Sequence, residues 1–500
     1  MFARRLGRMS RKTLSATQRT QAISRHMMSS SASKSAPLDL NADEAPVLFE
    51  SVGQIRKYIL NRPKKLNALD EPMINILRPQ VEAWSKSELN KVLVGTGVGR
   101  AFCAGGDVAS VVSNAVNAET RPKAIDFFKR EFELDYLLAA IPLPYIVIMD
   151  GITMGGGVGL SSHAAFRIAT ENTVYAMPET KIGYTPDVGG SHFLSRLDGQ
   201  IGTYLGLTGD ILKGRAVFQH GLATHYVPSR RIPALLERIA SLDKPTYPII
   251  DNLIEEASTE PQADDSLSPF VGDLRVALDS AFRHDTVEEI VQDLQKLSET
   301  TKDESIRSWA NQTLEALELR SPTSLKVALH AVRLGKTMNL LETLQMEMNF
   351  ATAFCSGETP DFNTGVTAVL VEKIKERPQW YPSTLKEVKY SDIKRRFFEK
   401  YSPAKGNSPA LDVPEELVNI KIIHPMRYSL PTEEEIGKMV DGSHPASGGT
   451  VITRDELINK FEQLRKGKLG LHEKLQDVLA RKCVEDVDKE TGDKWLRWVH

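Results

Sequence analysis

Residues 145–190, YIVIMDGITMGGGVGLSSHAAFRIATENTVYAMPETKIGYTPDVGG, decide how the rest of the chain is read. Ile146, Val147, Ile148 and Met149 form a continuous apolar run, the pattern of a buried strand. Asp150-Gly151 interrupts it, and the cluster Gly155-Gly156-Gly157 follows, then an apolar run towards Phe166. A triple glycine at the end of a buried strand lets backbone N–H groups approach a ligand that any side chain would block. A second apolar segment leads into Met177-Pro178-Glu179-Thr180, and eight residues beyond Glu179 stands Asp187, ahead of Gly189-Gly190. Two carboxylates at that place supply an acid, a base or a nucleophile. The stretch reads as an active site made of backbone donors and carboxylates.

Upstream, the same plan recurs. Alternating residues from Val47 to Leu60 predict strands with a hairpin near Ser51-Val52-Gly53. Asn61–Leu69 is a loop punctuated by Pro63 and two asparagines. Asp70 then caps a helix with Pro72 in its first turn, where the missing N–H has no helical partner to lose. Lys91–Val94 is a short strand, and Gly99–Asp107 (GRAFCAGGD) is a glycine turn with an acidic cap for the next helix. Repeated strand–turn–helix units predict an α/β fold with a largely buried sheet. A nucleotide reading of the glycines is weak: G-x-x-x-x-G-K-[ST] is absent, and Gly155-Gly156-Gly157-Val158-Gly159 does not match the dinucleotide fingerprint. Close helix–sheet packing would explain either turn alone. Two glycine turns joined to the Glu179 and Asp187 segment call for more.

At 500 residues the chain predicts two or three structural units. Its 63 basic and 65 acidic residues argue against nucleic-acid binding through overall charge. Cys103, Cys355 and Cys483 are widely spaced, so neither a disulfide framework nor a zinc site is indicated, and no metal site is expected. No apolar run reaches the ~18 residues of a membrane helix. Before Asp39 there is no acidic residue, whereas eight Arg and Lys lie among Ser, Thr and Ala. That pattern predicts a mitochondrial presequence over residues 1–36; a basic tail for an anionic partner is the competing reading.

The segments NRPKKLNAL (61–69), AFCAGGD (101–107), GITMGGGVGL (151–160), MPETKIGYTPDVGG (177–190) and DFNTGVTAVL (361–370), in this order, resemble the enoyl-CoA hydratase/isomerase, or crotonase, superfamily. Within it the likeness is nearest to the 3-hydroxyisobutyryl-CoA hydrolases, and it runs from about Val47 to Trp380. The resemblance implies a ββα superhelix core over residues 45–250, a helical C-terminal part over 251–385 that covers the active site and builds contacts between copies of the chain, and an extra extension, 386–500. It implies an acyl-CoA substrate, no separate cofactor, a place in the mitochondrial matrix, and an oxyanion hole from the N–H groups of Gly106 and Gly156. Hydratases of this family need a glutamate where this chain has Gly159. Glu179 and Asp187 instead fit thioester hydrolysis in valine breakdown, with Glu179 attacking or activating water and Asp187 holding the substrate's 3-hydroxyl or helping proton transfer. Gly156, Glu179, Asp187 and Glu131 are the expected substrate contacts. Lys64 and Lys65 are weaker candidates for the coenzyme A phosphates, and His163 is expected to be a hydrogen-bonded core histidine. Hydration or isomerisation on the same fold is the alternative chemistry.

In the second half, Thr286 and Ser321 cap amphipathic helices, and another runs from Leu340 to Phe354. Residues 403–445, rich in Pro, Gly and Ser, read as a linker or arm. Thr453 caps a helix bearing Leu457, Ile458, Phe461 and Leu464; Leu469–Leu479 suggests another, and Trp495 to Val499 closes the chain. Two readings of this extension stand: a subdomain packed on its own core, or a docking element for the small subunit of the mitochondrial ribosome, with Lys394-Arg395-Arg396 and Lys466–Lys468 on rRNA. A purely structural ribosomal protein is the corresponding non-enzymatic reading.

Overall fold

The computed structural model describes residues 45–262, 265–449, 451–487 and 494–499. The basic segment read as a presequence lies outside them. Among the described residues no helix is long and apolar enough to cross a membrane.

Two sheets form the N-terminal core. The larger has the order β1 (Val47–Val52), β2 (Ile55–Leu60), β3 (Val92–Gly97), β5 (Tyr145–Met149), β7 (Phe166–Ala169) and β10 (His225–Tyr226). β1 and β2 are the expected antiparallel hairpin, and every later pairing is parallel. The second sheet has the order β4 (Ala101–Cys103), β6 (Ile152–Met154), β8 (Val174–Ala176) and β9 (Leu212–Lys213). The chain thus visits the sheets alternately: β3 then β4, β5 then β6, β7 then β8. Gly151, with φ +120°, makes one of these corners; a Cβ there would lie 2.4 Å from the carbonyl oxygen of Arg100. This corner is why Asp150-Gly151 interrupts the apolar run.

Helices follow the second-sheet strands. The Arg121–Ala140 helix buries Phe128, Phe132, Leu134, Leu137 and Leu138, and carries three acids inward with them. Asp70 caps the Glu71–Ser85 helix by accepting from the Met73 N–H at 3.0 Å. Further on, the Pro322–Gly335 and Leu340–Cys355 helices are buried along most of their length, as residues that close over a core must be. The second is fixed at its start by a capping box of Asn339 and Glu342.

The extension packs on this core. Residues 403–445, expected as a linker or arm, bury Ser408, Met426, Ser429, Leu430, Ile436 and Met439. Their anchors are polar, so hydropathy did not show them. Arg167 of β7, itself buried, donates to the carbonyl of Pro425 at 2.8 Å, and Glu133 accepts from the Asp412 N–H at 2.6 Å. Beyond, Leu457, Phe461, Leu471, Leu475, Val478 and Leu479 are buried, so the apolar faces considered for docking are turned into the chain itself except at Leu464, which stays exposed. The tail basic residues are also engaged: Arg395 pairs with Asp392, Arg396 with Glu358, and Lys468 is buried beside Glu255.

A buried ion cluster fastens the extension to the helical part. Glu433 lies 3.1 Å from Arg275 and 2.6 Å from Arg481. Burial alone would raise the Glu433 pKa, but the two guanidinium groups hold it down to about 2. Its stabilising contribution is therefore present above the ordinary carboxylate range and lost as pH falls through about 2. Glu433→Ala would leave two buried cations short of an anion. It is expected to cost about 3 kcal/mol in chemical denaturation at neutral pH and to open residues 403–445 to protease; unchanged stability would contradict this account.

Candidate active site

The second sheet places the chemistry. β4, β6 and β8 are parallel, with Ala101 opposite Ile152 and Ile152 opposite Val174. Their C-terminal ends therefore open at one edge, and the segments leaving them are Ala104–Asp107, Gly155–Gly157 and Met177–Glu179. Two glycine turns and one glutamate, separated by dozens of residues in sequence, meet because three short strands share a direction. A Cβ on Gly105 would lie 3.9 Å from the Gly156 nitrogen, so the turns face each other closely. Among the described residues no backbone acceptor takes the Gly106 or Gly156 N–H. Gly156 opens the Gly156–Ser162 helix, where an N–H without a helical partner is the rule.

Glu179 sits in a short helical turn, Glu179–Ile182, with its carboxylate against the second glycine turn. Its Oε1 lies 3.2 Å from where a Cβ on Gly155 would be, and its buried Oε2 has no partner. The turn is held from below by the DFNTG segment: a Cβ on Gly183 would lie 2.0 Å from the Asp361 carbonyl oxygen. Tyr184 stacks on Phe362 with ring centroids 4.7 Å apart and on Phe128 at 5.4 Å. That contact gives the C-terminal signature a physical role, as the floor under Glu179.

Asp187 is buried next to a strained residue. Val188, β-branched, adopts φ +53°, a conformation such residues rarely take. Strain of this kind persists only where surroundings over-determine it, and here they do. The Glu347 carboxylate accepts from the Gly189 N–H at 2.6 Å and the Ser191 N–H at 2.9 Å. His163 Nε2 donates to the Val188 carbonyl at 3.1 Å. Burial pushes the His163 pKa down to about 4, so the ring is neutral. It is the hydrogen-bonded core histidine that its setting predicted, and it braces the Asp187 loop.

The Arg121–Ala140 helix brings two more acids. Glu131 reaches Gly156 so closely that a Cβ there would lie 2.2 Å from its Oε1. One turn on, Asp135 lies against Gly159. The structure therefore joins Gly106, Gly156, Glu131, Glu179 and Asp187, all five residues expected from the sequence. It adds Asp135 and Glu347, which motif reading missed. The available signal was an acid flanked on both sides in sequence by apolar or aromatic residues within a helix: Glu347 between Met346 and Met348, Asp135 between Leu134 and Tyr136. Lys64 and Lys65 stay at the surface, outside this cluster.

Five buried carboxyl groups cannot all carry charge. Burial raises Glu131, Asp135 and Glu179 well above the carboxylate range, and the charges of neighbouring acids raise them further. Burial holds Asp187 up to about 7, from an ordinary 3.8, and Glu347 up to about 8, from 4.5. The folded protein keeps these protons where the unfolded chain releases them. Their stabilising contribution is complete below the unfolded values and lost as pH rises through about 7 to 8. Thermal unfolding of the unliganded protein should thus show a midpoint that falls by several degrees from about pH 5 to about pH 8, and falls less in Asp187→Asn. A midpoint that rises over this range would contradict the assignment.

Gly156→Ala would drive a methyl group into Glu131 beside the free N–H. A loss of at least about 100-fold in turnover is expected for a damaged oxyanion site, with the fold retained by circular dichroism. Near-normal turnover would remove Gly156 from the site.

A family model described as enoyl-CoA hydratase/isomerase matches residues 55–398, and the chain belongs to this family. Among solved structures, a carnitinyl-CoA dehydratase from Mycobacterium thermoresistibile is similar with a TM-score of 0.62 and 32% identity, covering 70% of this chain and 96% of that one. Two kinds of curated relative are similar over most of their length. The 3-hydroxyisobutyryl-CoA hydrolase of Homo sapiens mitochondria is 41% identical over 70% of this chain and 88% of its own. The small ribosomal subunit protein mS47 of Neurospora crassa is 40% identical over 90% of this chain and 87% of its own.

Proposed function

We propose that this chain hydrolyses 3-hydroxyisobutyryl-CoA to 3-hydroxyisobutyrate and coenzyme A, in the mitochondrial matrix and as a step of valine breakdown. One observation carries the mechanism: Glu179, with one carboxylate oxygen unpartnered, lies against the turn that presents the free N–H of Gly156. A thioester carbonyl held by Gly106 and Gly156 would meet Glu179 at its carbon. As oxygen adds, negative charge develops on the carbonyl oxygen, where fixed donors are worth about 3 kcal/mol each. Glu179 either attacks with its own carboxylate, giving a mixed anhydride that a water then hydrolyses, or deprotonates a water that attacks directly. In both routes the C–S bond breaks and the departing thiolate takes a proton from a neighbouring neutral carboxyl group. Both routes need Glu179 ionised; burial and the charge of Asp187 oppose this, so the working state is one in which Asp187 and the other neighbouring acids keep their protons. Asp187, aimed by Glu347 and His163, holds the 3-hydroxyl or moves a proton. No resident cofactor takes part, since coenzyme A belongs to the substrate.

CoA release from the thioester, followed with a thiol reagent, should fall at least about 1,000-fold in Glu179→Gln. In the wild type, kcat/KM should rise with pH through a limb displaced above the ordinary 4.5 of glutamate, because burial and Asp187 both disfavour its charge. Release independent of Glu179 would sink the hydrolase reading.

A second role rests on a separate observation. A match over 90% of this chain must enter residues 386–500 wherever it begins, and it is the ribosomal relative that reaches so far; the human and chicken hydrolases match 70% and 69%. At least part of the extension is thus shared with a small-subunit ribosomal protein, which supports a place for this chain on the mitochondrial small subunit alongside catalysis. Co-sedimentation with purified mitochondrial small subunits at high salt is the expected result, and absence of the chain from that fraction would remove this role.

A further inference from the structure

Asp135 is buried to 0% exposure, and neither of its carboxyl oxygens has a hydrogen-bond partner. A buried carboxyl group with both oxygens unmatched is costly unless a ligand or water completes it. The surroundings show which ligand suits it. Asp135 follows Glu131 by one turn of the same helix, about 5–6 Å along the axis. Gly159 follows Gly156 by nearly one turn of the helix facing it. Glu131 packs on Gly156 and Asp135 on Gly159: a Cβ on Gly159 would lie 2.7 Å from Asp135 Oδ2. The same Cβ would lie 2.7 Å from Val188 Cβ, next to Asp187. The pair Asp135 and Gly159 is therefore one step deeper than the pair at the thioester.

An acyl chain whose carbonyl is held at Gly156 runs in this direction if its coenzyme A points outward. Its third carbon lies about 2.5 Å beyond the carbonyl carbon, and a hydroxyl there adds a C–O bond and a hydrogen bond of about 2.7 Å. Fully extended, this reach slightly exceeds one helical turn, so the hydroxyl can come within hydrogen-bonding distance of Asp135. Asp187, Glu347 and Glu131 face Asp135 with their carboxyl groups, and Tyr58, Tyr145 and Cys103 approach from the strands. No cation is among these groups, so a neutral carboxyl is the stable form. A neutral carboxyl offers one donor and one acceptor, which is what an alcohol requires.

We infer that Asp135 is a specificity-determining residue that recognises the 3-hydroxyl of the acyl group, by donating to its oxygen and accepting its proton, which leaves Asp187 the proton-transfer role of its two. The inference rests on the hydrolase reading above and deepens it. Sites built to pair a substrate hydroxyl discriminate strongly against the analogue that lacks it, because their own polar groups are left unmatched.

The test compares kcat/KM for 3-hydroxyisobutyryl-CoA and for isobutyryl-CoA, the same thioester without the hydroxyl. The wild type should prefer the hydroxylated substrate by at least about 100-fold. Asp135→Leu, similar in size and apolar, should lower that ratio at least about tenfold. Asp135→Asn keeps a donor and an acceptor and should hold the ratio within about threefold of wild type. A ratio unmoved in the leucine variant, whether or not both rates fall together, would overturn the inference. If the leucine variant fails to fold, Asp135→Ala is read by the same ratio, with isobutyryl-CoA turnover as its check of integrity. Wild-type protein that releases CoA from neither thioester overturns the hydrolase reading and this inference with it. Wild-type turnover with an unaltered ratio in the variant overturns this inference alone.

Discussion

The parallel ladder from β4 through β6 to β8 is only a few residue pairs wide, and the rest of the site depends on it. Parallel strands end on the same side, so what leaves each C-terminal end shares one space. In this chain those exits are a glycine turn, a second glycine turn and a glutamate. Glycine is needed where the turns pack: a Cβ at 157 would lie 2.2 Å from the Cys103 carbonyl oxygen, inside any allowed contact. Shifting one strand by a residue would separate the donors from the carboxylate. The corner at Gly151 therefore has a chemical consequence as well as a structural one.

Around this edge the protein gathers acids from three directions: Glu131 and Asp135 from one helix, Glu179 and Asp187 from successive loops, Glu347 from a helix far along the chain. Concentrating carboxyl groups in a buried space opposes their ionisation. That opposition has a use here, because it keeps protons available beside a reaction that must deliver one to a thiolate. Glu347 illustrates the structural side. Its two backbone hydrogen bonds hold the loop in which Val188 is strained, and so aim Asp187. Stability is traded for geometry across the whole cluster rather than at one residue, as the pH dependence expected of the unliganded protein expresses.

Much of this was legible in the sequence. The hairpin, the glycine turns, the helix caps at Asp70, Thr286, Ser321 and Thr453, and the approach of Gly106, Gly156, Glu131, Glu179 and Asp187 follow from local pattern and from the family resemblance. Asp135 and Glu347 did not, because each occupies a helix whose apolar face gave it no motif, and its meaning lies in contacts distant in sequence. The segment 403–445 read as a linker for a related reason. It is fixed by hydrogen bonds between its backbone and two side chains, Arg167 donating to a carbonyl and Glu133 accepting from an N–H, and backbone groups leave no mark on hydropathy. The extension's apolar helices were visible, but whether they faced a partner or their own chain was a question of packing, and the burial of Phe461, Leu475 and Leu479 answers it.

The central claim concerns position: a thioester oxygen lies between the Gly106 and Gly156 amides, with Glu179 at the carbonyl carbon. A crystal structure with a substrate analogue in which a methylene replaces the thioester sulfur measures this directly. The account predicts the carbonyl oxygen about 3 Å from both amide nitrogens, with a Glu179 oxygen nearest the carbonyl carbon. An analogue seated with its carbonyl away from both amides, or with Glu179 turned from it, would contradict the account.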